Sequence, residues 1–266
     1  MFTVLGASGF VGSNLVRWLE SHNMPCWSPP RGATLLGKPL GHVIYCIGLT
    51  ADFRERPFDT VEAHVCCLSE ILEKTDFESF LYLSTTRVYL GSSAAREDSS
   101  LQVNPNQSDD LYNISKLMGE SLCLTAKRSN VRVARLANVY GRDFSSNNFL
   151  ASVLREVVEN NTLLLRTSME SEKDYVSIHD VIRVLPRLSL SGKHQIYNIA
   201  SGVNTSNRVL IEKIQQVTGC SVAVADDAPT IAFPKISLDR VREEFEFQPS
   251  RLLDSLAEVI KEYQRR

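Results

Sequence analysis

Met1-Phe2-Thr3-Val4-Leu5-Gly6-Ala7-Ser8-Gly9-Phe10-Val11-Gly12 opens the chain, and its reading decides the fold. An apolar run ends in three glycines at three-residue spacing, and a helix-period segment from about Val11 to Ser21 follows. Strand, glycine turn and helix in that order form the first half of a βαβ unit that binds dinucleotides. Gly6 permits the tight turn, Gly9 lets backbone approach a pyrophosphate, and Gly12 allows close packing of helix on strand. Ser8, Phe10 and Val11 complete the turn, so the helix N-terminus meets the phosphates.

Working outward, short apolar runs alternate with helical segments. Val43 to Ile47, Phe80 to Ser84 and Val131 to Leu136 read as strands; Phe58 to Glu73 and Tyr112 to Arg128 read as helices. Continuous rather than alternating apolar strands predict a parallel sheet covered on both faces, so the fold class is α/β, a doubly wound Rossmann fold. The expected division is a dinucleotide-binding domain over 1–143, with 174–200 returning to it, and a smaller substrate-binding lobe from 144–173 and 201–266. In that lobe helices are expected near Phe149 to Asn160, Arg208 to Thr218 and from about Ser250 onward, with strands near Thr162 to Arg166 and Tyr197 to Ile199. The stretches 91–110 and 142–148 read as surface loops.

A net charge of -2 over 266 residues gives no basic excess, which argues against nucleic acid and against an anionic membrane. Six cysteines lie scattered without a CxxC pair or a His at metal-ligand spacing, so no metal site is expected and most should be buried free thiols. With no leader-like or membrane-length apolar run, the expected location is cytoplasmic.

In mid-chain, Tyr112-Asn113-Ile114-Ser115-Lys116 places a phenol and an ammonium at i and i+4, on one helix face. A cation there is expected to pull the phenol down from about 10 and make it a proton donor or acceptor beside a bound nicotinamide. Thr85, at the end of a buried strand, is placed to share the same substrate oxygen. On the adenosine side there is no acidic residue between Glu20 and Asp52 to bind both ribose hydroxyls. Arg31 lies where a 2′-phosphate would fall, which favours NADP over NAD, though an exposed loop arginine reads the same way. Only about fourteen residues separate Ser28 from Val43, too few for a further helix and strand. His179, in an alternating segment from Tyr175 to Val181, reads as a structural hydrogen-bonding residue.

These residues resemble the extended short-chain dehydrogenases/reductases that act on nucleotide sugars, the NAD-dependent epimerase/dehydratase family. Gly6 to Gly12 looks like its GxxGxxG, Ile44 to Gly48 like its strand ending in small residues, and Ser84-Thr85-Thr86-Arg87-Val88-Tyr89 like SSxxVYG. Arg135 to Gly141 resembles RxxNVYG, Asp174 to Asp180 DYIHVDD, and Tyr197 to Gly202 YNIGSG. The resemblance implies Thr85, Tyr112 and Lys116 as the catalytic set, with Lys116 also holding the nicotinamide ribose. It implies Cys46, Ile47, Gly48 and Leu136 along the cofactor, and Thr86, Arg87, Asn138 and Lys173 on the substrate. It further implies a homodimer through the helices near 58–73 and 112–128.

Two departures bear on the reaction. Thr86 and Arg87 stand where sugar dehydratases carry an acidic pair, which disfavours dehydration. Lys173 replaces an arginine that can grip a diphosphate with two parallel bonds. The expectation is hydride transfer at a hexose carbon, C4 foremost. A 4-epimerase is slightly favoured on family frequency, a 4-keto-sugar reductase is the alternative that Arg31 supports, and a non-catalytic dinucleotide-binding regulator is a third reading.

Overall fold

Strands that are apolar on both faces need helices on both faces, and the chain supplies them. The computed structural model describes residues 1–144 and 146–265. The first half runs β1 (Phe2–Leu5), α1 (Phe10–Ser21), β2 (Cys26–Trp27), β3 (His42–Tyr45), α2 (Pro57–Val61), a wide π turn (Glu62–Cys66), α3 (Cys67–Lys74), β4 (Ser79–Thr85), α4 (Asp110–Thr125) and β5 (Val131–Leu136). There follow β6 (Asn138–Tyr140), α5 (Phe149–Asn160), β7 (Thr162–Leu165), β8 (Glu172–Ser177), α6 (Ile178–Ser191), β9 (Ile196–Ile199), β10 (Asn204–Ser206), α7 (Asn207–Thr218), β11 (Ser221–Val224), α8 (Asp239–Phe245) and α9 (Leu252–Gln264).

The central sheet is parallel throughout, in the order β2-β1-β3-β4-β5-β9. Side chains alternate along each strand: Val4, Ile44, Leu81 and Ala134 meet α1 and α6, whereas Leu5, Tyr45, Phe80 and Val133 meet α3 and α4. The chain steps left from β1 to β2, then right of β1 to β3, so a crevice opens past the carboxyl ends of β1 and β3. That reversal of strand order is where doubly wound sheets bind ligands.

Between β2 and β3 the segment 28–41 contains no helix, and the sheet ends on the two-residue strand β2. This matches the shortage of residues there.

A second apolar cluster joins α5, α7 and α9 through Leu154, Val157, Leu210, Ile214, Leu256 and Ile260. Ile236, Leu238, Val241 and Phe245 pack instead with the α1/α6 face of the large sheet, although the sequence assigns all of 201–266 to the lobe.

Two other expectations change. The segment from Tyr175 onward is not strand to Val181: β8 stops at Ser177, whose hydroxyl caps α6 by accepting from the His179 amide. Ile178, Val181, Ile182, Leu185 and Leu188 then follow a helical period, which Pro186 inside the helix obscures in the sequence. His179 lies exposed on the first turn. Of the cysteines only Cys123 and Cys220 are buried; all six are free thiols and Cys66 is exposed.

Candidate active site

The glycine turn forms as its residue types require. Gly6 has φ +86°, and a Cβ there would lie 2.8 Å from the Cys46 carbonyl carbon, so β3 could not sit beside it. A Cβ on Gly12 would fall 2.3 Å from the Gly6 oxygen. Gly12→Ala should therefore lower unfolding free energy by about 1–3 kcal/mol, the usual cost of overpacking, in a urea melt followed by circular dichroism; unchanged stability would contradict this packing. Gly9 caps α1, and Ser8 and Gly9 are exposed. The turn thus offers bare backbone and a helix N-terminus to the crevice, which fits a pyrophosphate. Phe10 and Val11 are half-buried behind it, and Arg31 is exposed on the helix-free segment.

Four strand ends converge on this crevice: Gly6 after β1, Cys46-Ile47-Gly48 after β3, Thr85 ending β4 and Leu136 ending β5. Thr85 and Leu136 are register partners. Thr85 also starts a short 3-10 turn, Thr86–Tyr89, its hydroxyl accepting from the Arg87 amide at 3.1 Å. Thr86 is buried within that turn, 5% exposed.

Tyr112 and Lys116 lie on the inward face of α4, 6% and 4% exposed. Burial pushes the Tyr112 phenol up to about 12, opposed by its hydrogen bond with Thr85 and by the charge of Arg87. The cation drawing Tyr112 down is therefore Arg87, not Lys116 as the i, i+4 spacing suggested. Lys116 Nζ instead donates to the Leu83 carbonyl at 2.9 Å and stands 5.0 Å over the Tyr82 ring. Burial, only partly offset by Glu120, lowers its ammonium to about 8. Both Arg87 and Tyr112 pack on Phe53, at 5.8 and 5.3 Å. Asp109 lies 3.8 Å from Arg87, but Arg54 holds both its oxygens, at 2.5 and 2.6 Å. Arg87 is thus shared between Asp109 and the neighbourhood of the phenol, with burial lowering its guanidinium and Asp109 opposing that.

Of the other expected substrate residues, Lys173 is largely desolvated, its Nζ 4.1 Å over the Phe149 ring. Burial, with Arg87 nearby, lowers its ammonium to about 8. Asn138 is exposed, its amide donating to the Asp174 carbonyl at 2.8 Å. Asp174 itself ties down the turn after β9, accepting from the Ser201 and Val203 amides at 2.7 and 3.0 Å. Sequence reasoning passed over Phe53, Arg54, Asp109 and His64. None of the four stood out in a motif or in the apolar periodicity. Among the described residues no cluster of His, Cys, Asp or Glu could hold a metal ion, and no helix is long and apolar enough to cross a membrane.

A family description matches residues 34–200, more than half the chain. The chain belongs to the NAD dependent epimerase/dehydratase family. Members similar to it along its length include a dTDP-4-dehydro-6-deoxy-D-allose reductase from a Streptomyces species, 24% identical, covering 98% of this chain and 95% of the relative. The enzyme of that description from Streptomyces bikiniensis is also 24% identical, with 97% and 94% covered. Among solved structures, RMD from Pseudomonas aeruginosa complexed with NADPH superposes with a TM-score of 0.81 at 22% identity, covering 99% and 100% of the two chains. MoeE5 in complex with UDP-glucose and NAD gives 0.84 at 19%, covering 99% and 98%. At those identities the superpositions speak for the shared fold of the family.

Proposed function

We propose that this family member is an NAD(P)-dependent nucleotide-sugar oxidoreductase that acts at a hexose carbon, C4 foremost, and that reduction of a 4-keto sugar is its reaction. The observation that carries the reading is Tyr112, a phenol placed beside Thr85 at the crevice and held protonated at neutral pH by its burial. A group that keeps its proton suits donation to a carbonyl oxygen. The full-length relatives named as 4-dehydro-sugar reductases support the same direction. The 4-epimerase reading retains the support of the family's printed description.

In this proposal the turn from Gly6 to Gly12, with Ser8, Phe10 and Val11, holds the pyrophosphate, and Arg31 meets a 2′-phosphate. Cys46, Ile47, Gly48 and Leu136 flank the nicotinamide half, and Lys116 reaches its ribose. A nicotinamide held there would supply a hydride to the carbonyl carbon. Tyr112 gives its proton to the carbonyl oxygen, completing the alcohol; Thr85 fixes that oxygen, and Arg87 stabilises the phenolate left behind. Lys173 and Asn138 face the nucleotide diphosphate. Incubation with NADPH and candidate 4-keto sugar nucleotides should consume absorbance at 340 nm in step with substrate. Interconversion of two sugars with no net change at 340 nm would replace the reductase by the epimerase.

Lys173 gives this reading a pH signature. An ammonium near 8 is charged below that value and neutral above it, so affinity for dTDP or UDP should fall as pH rises through about 8. Calorimetric titrations from pH 6.5 to 9.5, a range set about that value, should show the slope in the native chain and a flatter profile in Lys173→Met. Equal slopes would remove Lys173 from the diphosphate. We also propose that the face shared by α3 and α4, where Met118 lies half-exposed, is a homodimer surface. Light scattering that shows only monomer would exclude it.

A further inference from the structure

His64 is fully buried, and it reaches the crevice because the helix between Pro57 and Lys74 is interrupted. On a regular helix two four-residue steps drift by roughly 80°, so Thr60, His64 and Leu68 would spread across most of one apolar face. The wide turn takes up that drift: the Cys67 amide donates to the Glu62 carbonyl five residues back, and all three side chains are buried. Wide turns of this kind recur at functional sites. This one is pinned to the sheet, because the Ala63 and His64 carbonyls accept from the hydroxyls of Tyr45, at 2.6 Å, and Tyr82, at 3.4 Å. Gly119 lets α4 close against it; a Cβ there would sit 2.8 Å from the His64 carbonyl oxygen.

The imidazole so delivered spans two parts of the crevice. Its Nε2 accepts from the Leu49 amide at 3.2 Å, in the loop that follows Gly48. Its Nδ1 lies 2.8 Å from Ser115 Oγ, and that hydroxyl donates to the Tyr112 carbonyl at 3.0 Å. With the serine hydrogen committed to Tyr112, Nδ1 must be the donor, which leaves Nε2 unprotonated for Leu49. The ring edge meets Tyr112 at 5.4 Å. A Cβ built on Gly48 would lie 3.1 Å from Nε2 and 3.2 Å from Lys116 Nζ, so ring, ammonium and loop backbone share one small space. Burial, then the neighbouring Lys116 charge, push the imidazole down to about 2 and keep it neutral.

We infer that His64 is a positioning residue for the nicotinamide half of the cofactor site: as the neutral Nδ1–H tautomer it fastens the Gly48-Leu49 backbone to the Tyr112–Lys116 turn of α4. The inference rests on the cofactor reading above. A histidine that served only the core would support the whole fold; this one spans the loop after β3 and the helix that carries the proton donor, and has no link to the glycine turn. Its loss should therefore loosen the nicotinamide half and spare the adenosine half.

The test compares ligands that differ only in that half. Fluorescence titration of His64→Ala should show affinity for NADH and NADPH reduced about tenfold, the scale of one lost hydrogen bond and one stranded amide. Affinity for ADP and its 2′-phosphate should stay within about twofold by the same measure. His64→Gln, whose amide oxygen can still accept from Leu49, should restore most of the loss. Equal weakening of all four ligands, or no weakening, would overturn the inference. Nitrogen-15 NMR of histidine-labelled native protein provides an arm independent of whether the variant folds. It should show one imidazole protonated at Nδ1 and constant from pH 5 to 8, a window well above its value of about 2; titration within that window, or an Nε2–H signature, would overturn it. Failure of the native chain to bind any of the four ligands would instead sink the cofactor reading, while the NMR arm still decides the tautomer.

Discussion

Tyr112→Phe is expected to lower turnover by about three orders of magnitude, the range for removing a positioned general acid, while the fold and the affinity for NADPH stay unchanged. The phenyl ring keeps its contacts with Phe53 and His64; what leaves is the hydroxyl beside Thr85 that holds the transferable proton. Thr85→Ser should retain most activity, because its hydroxyl can still meet the phenol and accept from the Arg87 amide. Thr85→Val, of similar shape without the oxygen, should lose activity by about two orders of magnitude. Steady-state rates at 340 nm, with thermal unfolding as the control for folding, make the comparison. A Tyr112→Phe variant that turns over at the native rate would remove the proton-transfer role and favour a dinucleotide-binding regulator.

The parallel sheet was legible because its strands are buried on both faces, so β3 and β4 stand out as nearly continuous apolar runs, with β1 broken only by Thr3 and β5 by Arg132 and Arg135. The glycine turn was legible because steric limits at Gly6 and Gly12 leave almost no other residue possible. α6 was hidden by Pro186, and α8 is too short for its period to declare itself. Within the site, spacing along α4 put Tyr112 and Lys116 on one face, yet it could not say which cation the phenol senses. That depends on Arg87, which arrives from a different strand end, and on Lys116 being held by the Leu83 carbonyl. His64 was illegible for a related reason: its contacts lie 15 and 51 positions away, and the wide turn that aims it leaves no signature in apolar periodicity.

The largest stability effect should come from beneath the crevice, where family-like residues prove to be structural. Arg135 and Glu120 form an ion pair at 2.7 Å with side chains only 4% and 3% exposed. Burial alone would lower the guanidinium; its bonds with Glu120 outweigh that and hold it above its ordinary range. Ser84 donates to Glu120 at 2.5 Å, Arg135 donates to the Tyr89 hydroxyl at 2.7 Å, and Tyr89 donates to Asn198 at 2.8 Å. This chain of bonds joins β4, α4, β5 and β9 directly behind Thr85. Removing one partner strands the other's charge without water, so Glu120→Leu and Arg135→Met should each cost about 3–5 kcal/mol. That is a large part of the roughly 5–15 kcal/mol a domain has in total. Glu120→Leu combined with Arg135→Met should cost much less than the two single changes together, because no buried charge remains; the residual loss would come from Ser84, which loses its acceptor, and from Tyr89, which loses its donor but keeps Asn198. Urea denaturation of the four proteins closes the double-mutant cycle. Additive losses would mean that the pair does not act as a unit, and that the crevice floor is held by packing alone.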